Sequence, residues 1–230
     1  KSQKKSCKTV AILTPSFNKD KFDLICTPAH DQNKFNNSDN VIFFEGSLAK
    51  VSLDETDENI VLVAIGGRSK HYYFDEDSIL NQIEYFLSLY PNKEYYVFNS
   101  KRTPKSMNNK LTKLAEIKEI IFCDYKNNDT SFESILHKAS AKLITRDSVN
   151  MIFESLSCKG NTYLVDMKIK NKMNKVVRTI NNLIEQKKIG HIDQSDMVDG
   201  LSATKIYKQN VYNDVFAEVE KVAYKLNQLI

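Results

Sequence analysis

The stretch Asn59-Ile60-Val61-Leu62-Val63-Ala64-Ile65-Gly66-Gly67 decides how the rest of the chain is read. Its six consecutive apolar residues are rich in β-branched side chains and are closed by glycine. That pattern is a strand buried on both faces of a parallel sheet. The chain of 230 residues has only 6 glycines, against the ~16 that average usage would give. An adjacent pair therefore marks a backbone need.

Downstream the pattern repeats. After the polar loop Arg68–Tyr73, the acidic Asp75, Glu76 and Asp77 favour a helix start. Ile79, Leu80, Ile83, Phe86 and Leu87 recur at helical spacing until Pro91. Glu94–Asn99 reads as the next strand, with Thr103 as N-cap and Pro104 as first residue of a helix carrying Met107, Leu111 and Leu114. There follow a strand at Glu119–Cys123, a short helix at Phe132–Lys138 and a strand at Ala141–Thr145. Asp147 or Ser148 then caps a helix containing Val149, Met151, Ile152 and Leu156, which Gly160 terminates. A strand at Thr162–Val165 precedes an amphipathic helix with Met173, Val176, Val177, Ile180, Leu183 and Ile184, and a last helix runs from Val215 to Ile230.

This alternation predicts right-handed βαβ units, hence an α/β, Rossmann-like parallel sheet with helices on both faces over residues 59–230. Residues 1–58 differ: Lys8–Leu13, Asp23–Thr27 and Val41–Phe44 read as three strands joined by loops rich in Pro, Asn and Asp. Gly46–Glu58, with its acidic cluster, reads as a linker to the second domain.

Composition narrows the function classes. Lys and Arg total 33 against 29 Asp and Glu, a net +4, too small to imply nucleic acid unless it is concentrated on one face. Hydrophobic residues at 41% and charged residues at 27% suit a globular protein with a core. The longest apolar run is far short of the ~20 residues of a membrane-spanning helix. Cys7, Cys26, Cys123 and Cys158 are scattered, with no C-x-x-C pair. This favours reduced thiols in a cytoplasmic setting over a disulfide scaffold or structural zinc.

In an open parallel sheet, ligands bind beyond the carboxyl ends of the strands. Three loops there carry candidate groups: Gly66-Gly67-Arg68-Ser69-Lys70-His71, Ser100-Lys101-Arg102-Thr103 and Thr145-Arg146-Asp147-Ser148. Glycines allow close backbone approach, and helix N-termini favour phosphate, so together they point to a diphosphate site. The alternative is that they are ordinary strand–helix loops. Glu154 lies six residues after Ser148, about 9 Å along a helix. That is about the span from a diphosphate to its ribose, whose hydroxyls a carboxylate can accept; a mid-helix Glu is otherwise commonly just solvated.

At these residues the sequence resembles the mitochondrial fission (elongated mitochondria) family of plants and proteobacteria, whose members are similar to nucleotide-sugar glycosyltransferases of the GT-B fold. The stretches that carry the resemblance begin with Phe22-Asp23-Leu24-Ile25, Pro28-Ala29-His30-Asp31, Asn40-Val41 and Gly46-Ser47-Leu48. They continue with Ile65-Gly66-Gly67, Ser69-Lys70-His71-Tyr72, Phe74-Asp75, and Ser100 with Arg102-Thr103-Pro104. The last group is Thr145, Asp147-Ser148-Val149, Met151, Glu154 and Gly160. Arg68, Arg146 and Asn161-Thr162 depart from the family pattern.

The resemblance implies that residues 59–230 are the donor-binding domain of a GT-B fold and that 1–58 are the end of an acceptor-side domain. It implies a metal-independent glycosyltransferase without a cofactor, whose donor substrate is a nucleoside diphosphate-sugar and whose acceptor is a glycan or lipid-linked hydroxyl. Gly66, Gly67, Ser69, Lys70, His71, Ser100, Arg102, Thr103, Arg146, Asp147 and Ser148 would hold the donor phosphates, and Glu154 the ribose. His30, beside Asp31, is the candidate general base; a loop histidine bonded to backbone is its alternative. A non-catalytic adaptor of the same fold, acting in organelle fission, is the rival reading. Lys168, Lys170, Lys172 and Lys175, followed by the amphipathic Met173–Ile184 face, suggest a peripheral membrane contact, although such a face is more often core.

Overall fold

The computed structural model describes residues 7–35, 39–50, 52–127, 129–198, 201–210 and 215–229. The chain divides into two units, residues 1–51 with 214–230, and residues 52–213.

In the first unit β1 (Val10–Ile12), β2 (Leu24–Pro28) and β3 (Val41–Phe44) form a parallel sheet in that order. Parallel neighbours need a crossover, and here the described residues of the crossovers contain short 3-10 turns, Lys19–Lys21 and Ala29–Lys34. The cover comes from the C-terminal helix, Val215–Leu229. Its Val222 clusters with Leu24, Cys26 and Phe44, and Leu226 and Leu229 pack against them. This corrects the expected domain boundary, which placed that helix with residues 59–230. Leu24 and Cys26, two apart on a strand, present one apolar face, and the helix that returns to cover it is distant in sequence.

The second unit runs β4 (Asp57–Ala64), α1 (Glu76–Ser88), β5 (Glu94–Phe98), α2 (Lys105–Lys118), β6 (Ile121–Cys123) and α3 (Phe132–Lys138). It continues with β7 (Ala139–Ile144), α4 (Val149–Leu156), β8 (Asn161–Leu164), α5 (Lys175–Glu185), β9 (Gly190–Val198) and β10 (Leu201–Tyr207). The strand order is β10-β9-β8-β7-β4-β5-β6. Counted from β4, the six parallel strands follow the 3-2-1-4-5-6 order of doubly wound nucleotide-binding folds. The protein is thus α/β with a Rossmann-like, parallel-dominated sheet. The β9–β10 hairpin is antiparallel and had no counterpart in the sequence reading.

Strand register shows the two faces. Val63, Val97, Leu143 and Tyr163 are paired neighbours and share one face; there Tyr163 meets Phe86 of α1, ring centroids 5.4 Å apart. Leu62, Tyr96, Lys142 and Thr162 share the other, where Leu62 packs with Ile135 and Leu136 of α3. Lys142 is fully buried there, and its ammonium donates to the carbonyls of Ser155 (2.6 Å), Cys158 (3.3 Å) and Lys159 (2.7 Å) at the end of α4. A cation suits the free carbonyls of a helix C-terminus. Gly160 follows with φ +85°, a left-handed conformation that glycine adopts without penalty.

Two helix starts differ from expectation. Thr103 does not cap α2: Pro104 precedes the first helical residue, and the Thr103 hydroxyl donates instead to the Gly66 carbonyl. Helix α5 begins at Lys175, capped by the Asn174 side chain, so Met173 lies outside it and is exposed. No helix among the described residues is long and apolar enough to cross a membrane.

Candidate functional site

The strand order reverses between β4 and β7, and a crevice opens beyond the carboxyl ends of strands at such a switch point. At this place lies a cavity of about 320 Å³, lined by residues that end β4 (Ala64, Ile65) and β5 (Phe98, Asn99, Ser100). Tyr125, Thr130 and Phe132 close one side, and Ser148, Asn150, Met151 and Glu154 of the α4 segment close another. Its size falls at the small end of the roughly 300–1,000 Å³ usual for ligand clefts.

Ser148 at the start of α4 and Glu154 six residues along it both line this cavity, about 9 Å apart along the helix axis. No side chain caps α4, so its first-turn N–H groups keep the partial positive charge of a helix start. Glu154 is exposed, and its carboxylate makes no hydrogen bond or ion pair among the described residues. The aromatic wall is fixed from behind. Phe98 and Phe132 meet edge to face at 5.2 Å. Asn99 accepts the Tyr125 N–H at 2.7 Å and donates to Asn108 of α2 at 3.0 Å. Sequence reasoning missed Phe98, Asn99, Tyr125 and Phe132 as site residues. Phe98 and Asn99 stand at the end of the EYYVFN strand, a signal that could have found them.

The glycines play a different part from the one expected. Gly66 and Gly67 are buried, and their N–H groups donate to Thr145 Oγ1 (2.8 Å) and Asp147 Oδ2 (2.9 Å). A β-carbon on Gly66 would overlap the Asp147 carboxylate, and one on Gly67 the Arg102 carbonyl. Glycine is required because loops pack together here, and neither amide is free to bind phosphate. Ser100 and Thr103 complete the packing: both hydroxyls donate to the Gly66 carbonyl, Ser100 at 3.0 Å. Asp147 does not cap α4; its buried carboxylate pairs with Arg102 at 2.8 Å, while Arg102 stays half exposed.

Arg146 is also corrected as a phosphate ligand. It is buried, 3.4 Å from the Asp166 carboxylate and 3.4 Å from the Ile192 carbonyl it donates to. Ser69 Oγ accepts the His71 and Tyr72 N–H groups at 3.2 and 3.3 Å, which tightens its own loop. Burial, and then the charge of Lys70, hold the His71 imidazole below its ordinary pKa, so it supplies no positive charge at neutral pH. Lys70 is exposed.

His30 belongs to the first unit, exposed on the turn after β2. Its neighbour Asp31 accepts from the Thr14 hydroxyl at 2.7 Å and pairs with Lys34 at 2.8 Å. The Asp75-Glu76-Asp77 triplet serves the start of α1: Asp75 caps Ser78 at 3.1 Å, while Glu76 and Asp77 pair with Lys110 at 3.6 and 2.6 Å. A second cleft of about 750 Å³ beside α1, lined by Tyr73, Asp75, Asp166, Lys168 and Gln194 among others, holds none of the predicted site residues.

Comparison with known proteins agrees with the residues that carry the resemblance. The chain matches the family described as Mitochondrial fission ELM1 over residues 1–229. No curated protein and no solved structure matches it. Since the family match spans nearly the whole chain, the protein belongs to the mitochondrial fission ELM1 family.

Proposed function

We propose that the second unit binds a nucleoside diphosphate, free or as a nucleotide-sugar. The base lies against Phe98, Tyr125 and Phe132, the ribose hydroxyls donate to Glu154, and the phosphates meet the first turn of α4. The observation that carries this reading is that Glu154, exposed and with its carboxylate unpartnered among the described residues, lines the same cavity as Ser148 at the start of α4, where no side chain caps the helix. An ionised carboxylate only accepts hydrogen bonds, which suits a diol. A helix start suits an anion.

In a transferase of the GT-B kind, the same site would hold the donor while its sugar passes to a glycan or lipid-linked hydroxyl. The departing diphosphate would then need positive charge beyond the helix start. Arg102, half exposed beside Asp147, and Lys70 are the loop cations left for that role. A second reading, a nucleotide-holding adaptor without turnover, is favoured by one specific observation: the Gly66 and Gly67 amides and Arg146 are already engaged within the fold.

Thermal shift with UDP, GDP, dTDP and their sugars tests binding, with Glu154→Ala as the comparison. A ligand specific to the native state raises stability as RT ln(1 + [L]/Kd). The expected result is a saturable shift that Glu154→Ala loses; no shift with any of these ligands overturns the proposal. Sugar-nucleotide hydrolysis or transfer by the binding protein then separates the transferase from the adaptor.

A further inference from the structure

Residues 68–73 and 168–173 form one rib of the second unit. Tyr72 and Ile169 pair as an antiparallel bridge. The Tyr73 N–H donates to the Lys168 carbonyl at 2.8 Å and the Lys170 N–H to the His71 carbonyl at 2.9 Å. The Lys170 ammonium also donates to the Ser69 carbonyl at 2.8 Å. Along this rib Arg68, Lys70, Lys168, Lys170 and Lys172 are all exposed, and the two segments contain no Asp or Glu. Their positive charges exceed the +4 of the entire chain, so the remainder is on balance negative. The nearest carboxylates in sequence, Asp75 and Asp166, border the rib in the cleft they share with Tyr73 and Lys168, and each is engaged, Asp75 at its helix cap and Asp166 by Arg146.

Apolar groups accompany the charge. Tyr73 is 52% exposed, with the Lys168 and Lys170 ammoniums 5.8 and 5.2 Å from its ring centroid, and Met173 is 75% exposed. The apolar side of α5, by contrast, belongs to the core, since Val177 and Ile180 are fully buried. Val177 and Ile180 are thus not available to lipid, whereas Lys168, Lys170, Lys172 and Met173, expected beside them, are exposed.

We infer that this rib docks the protein on an anionic lipid bilayer. Clustered Lys and Arg are drawn to the negative potential of acidic headgroups. Tyrosine suits the membrane–water boundary, and an exposed methionine can enter the upper acyl region. Single-stranded nucleic acid is recognised through free aromatic faces on which bases stack, and the Tyr73 ring is already shared with two lysines. The inference does not use the α4 crevice; Lys70 alone is common to the two proposals, and the test below leaves it unchanged.

The experiment is co-sedimentation of the full chain with vesicles of phosphatidylcholine, alone or with about one-third phosphatidylserine, across about 0.05–0.3 M salt. Binding is expected only to the acidic vesicles, weakening as salt rises. Each lysine near such a surface contributes about fivefold, so Lys168→Gln, Lys170→Gln and Lys172→Gln together should weaken partition roughly a hundredfold. The comparison is Lys105→Gln, Lys113→Gln and Lys118→Gln on exposed positions of α2, the same charge change elsewhere, expected to stay within about twofold of the parent. Melting temperatures of both triples confirm folding. No binding to the acidic vesicles, or equal loss in the two triples, overturns the inference. So does tighter binding of an oligonucleotide through the same three lysines.

Discussion

The buried carboxylate of Asp147 accepts the backbone N–H of Gly67 at 2.9 Å, which ties the loop after β7 to the loop after β4 where the strand order reverses. The same oxygen holds Arg102 at 2.8 Å, so three loops at the carboxyl edge meet on one side chain. The site is thereby built on a rigid base. Asp147 positions the other groups and is itself withdrawn from any ligand.

Asp147→Ala should therefore cost stability. It leaves the Gly67 N–H without its acceptor and Arg102 without its counter-charge. Loss of a buried acceptor and of a charge partner predicts about 2–4 kcal/mol, discounted at the Arg102 end because that group is half exposed. Urea unfolding checks this; a change below about 0.5 kcal/mol would show that the carboxylate does not join the loops.

Gly67→Ala separates two roles for the glycine pair. If the pair exists for loop packing, a methyl at Gly67 meets the Arg102 carbonyl, and stability falls by about 1–3 kcal/mol. If its amide binds phosphate instead, nucleotide affinity falls while stability holds. Parallel unfolding and binding measurements on the variant decide between them, and the structure predicts the first.

What the sequence revealed and what it hid have physical causes. The Ile60–Ile65 run was legible because burial on both faces leaves no polar alternation. Helix α3 was legible over Phe132–Lys138, and the Ser131 side chain that caps it is a local signal the reading did not use. The glycine pair announced a close approach but not its neighbour, since Asp147 lies about eighty residues away. The C-terminal helix gave no local sign that it covers β2 and β3, for an amphipathic face does not name its partner. The β9–β10 hairpin was missed although Asp199-Gly200 stands between its strands, a dipeptide common in hairpin connections. Glu154 and Ser148 could be related beforehand because helix geometry alone links them. The aromatic wall joins the end of β5 to the β6–α3 stretch that carries Tyr125 and Phe132, and only folding assembles it.

Glu154→Gln should act on binding and leave the fold alone. The side chain is exposed and bonds no neighbour among the described residues, so stability should stay within about 0.5 kcal/mol of the parent. The amide accepts less strongly than a carboxylate and should weaken nucleotide affinity by about tenfold or more. Calorimetric titration checks the affinity. An unchanged Kd would remove Glu154 from the site.

Lys142 gives the fold a pH signature. Burial pushes its ammonium down from 10.5 to about 8, while the unfolded chain keeps its proton to the ordinary value. Between these limits the unfolded state binds more protons, so this group makes stability rise with pH; below about 8 both states are protonated and its slope vanishes. The contribution is at most about 3 kcal/mol across the window. Unfolding of the parent and of Lys142→Met at pH 7.5 and 10 should show the parent gaining relative to the variant at the higher pH. A constant difference would contradict the burial of a charged Lys142.

Nucleotide binding in the α4 crevice is read most directly by methyl NMR of the methionines during titration with UDP or GDP. Met151 lines the crevice, Met167 the larger cleft beside α1, Met107 is buried, and Met173 stands exposed on the basic rib. The site described here predicts a saturable shift centred on Met151, lost in Glu154→Ala, with Met107, Met167 and Met173 little moved. Shifts centred on Met167 or Met173, or none with either nucleotide, would contradict it.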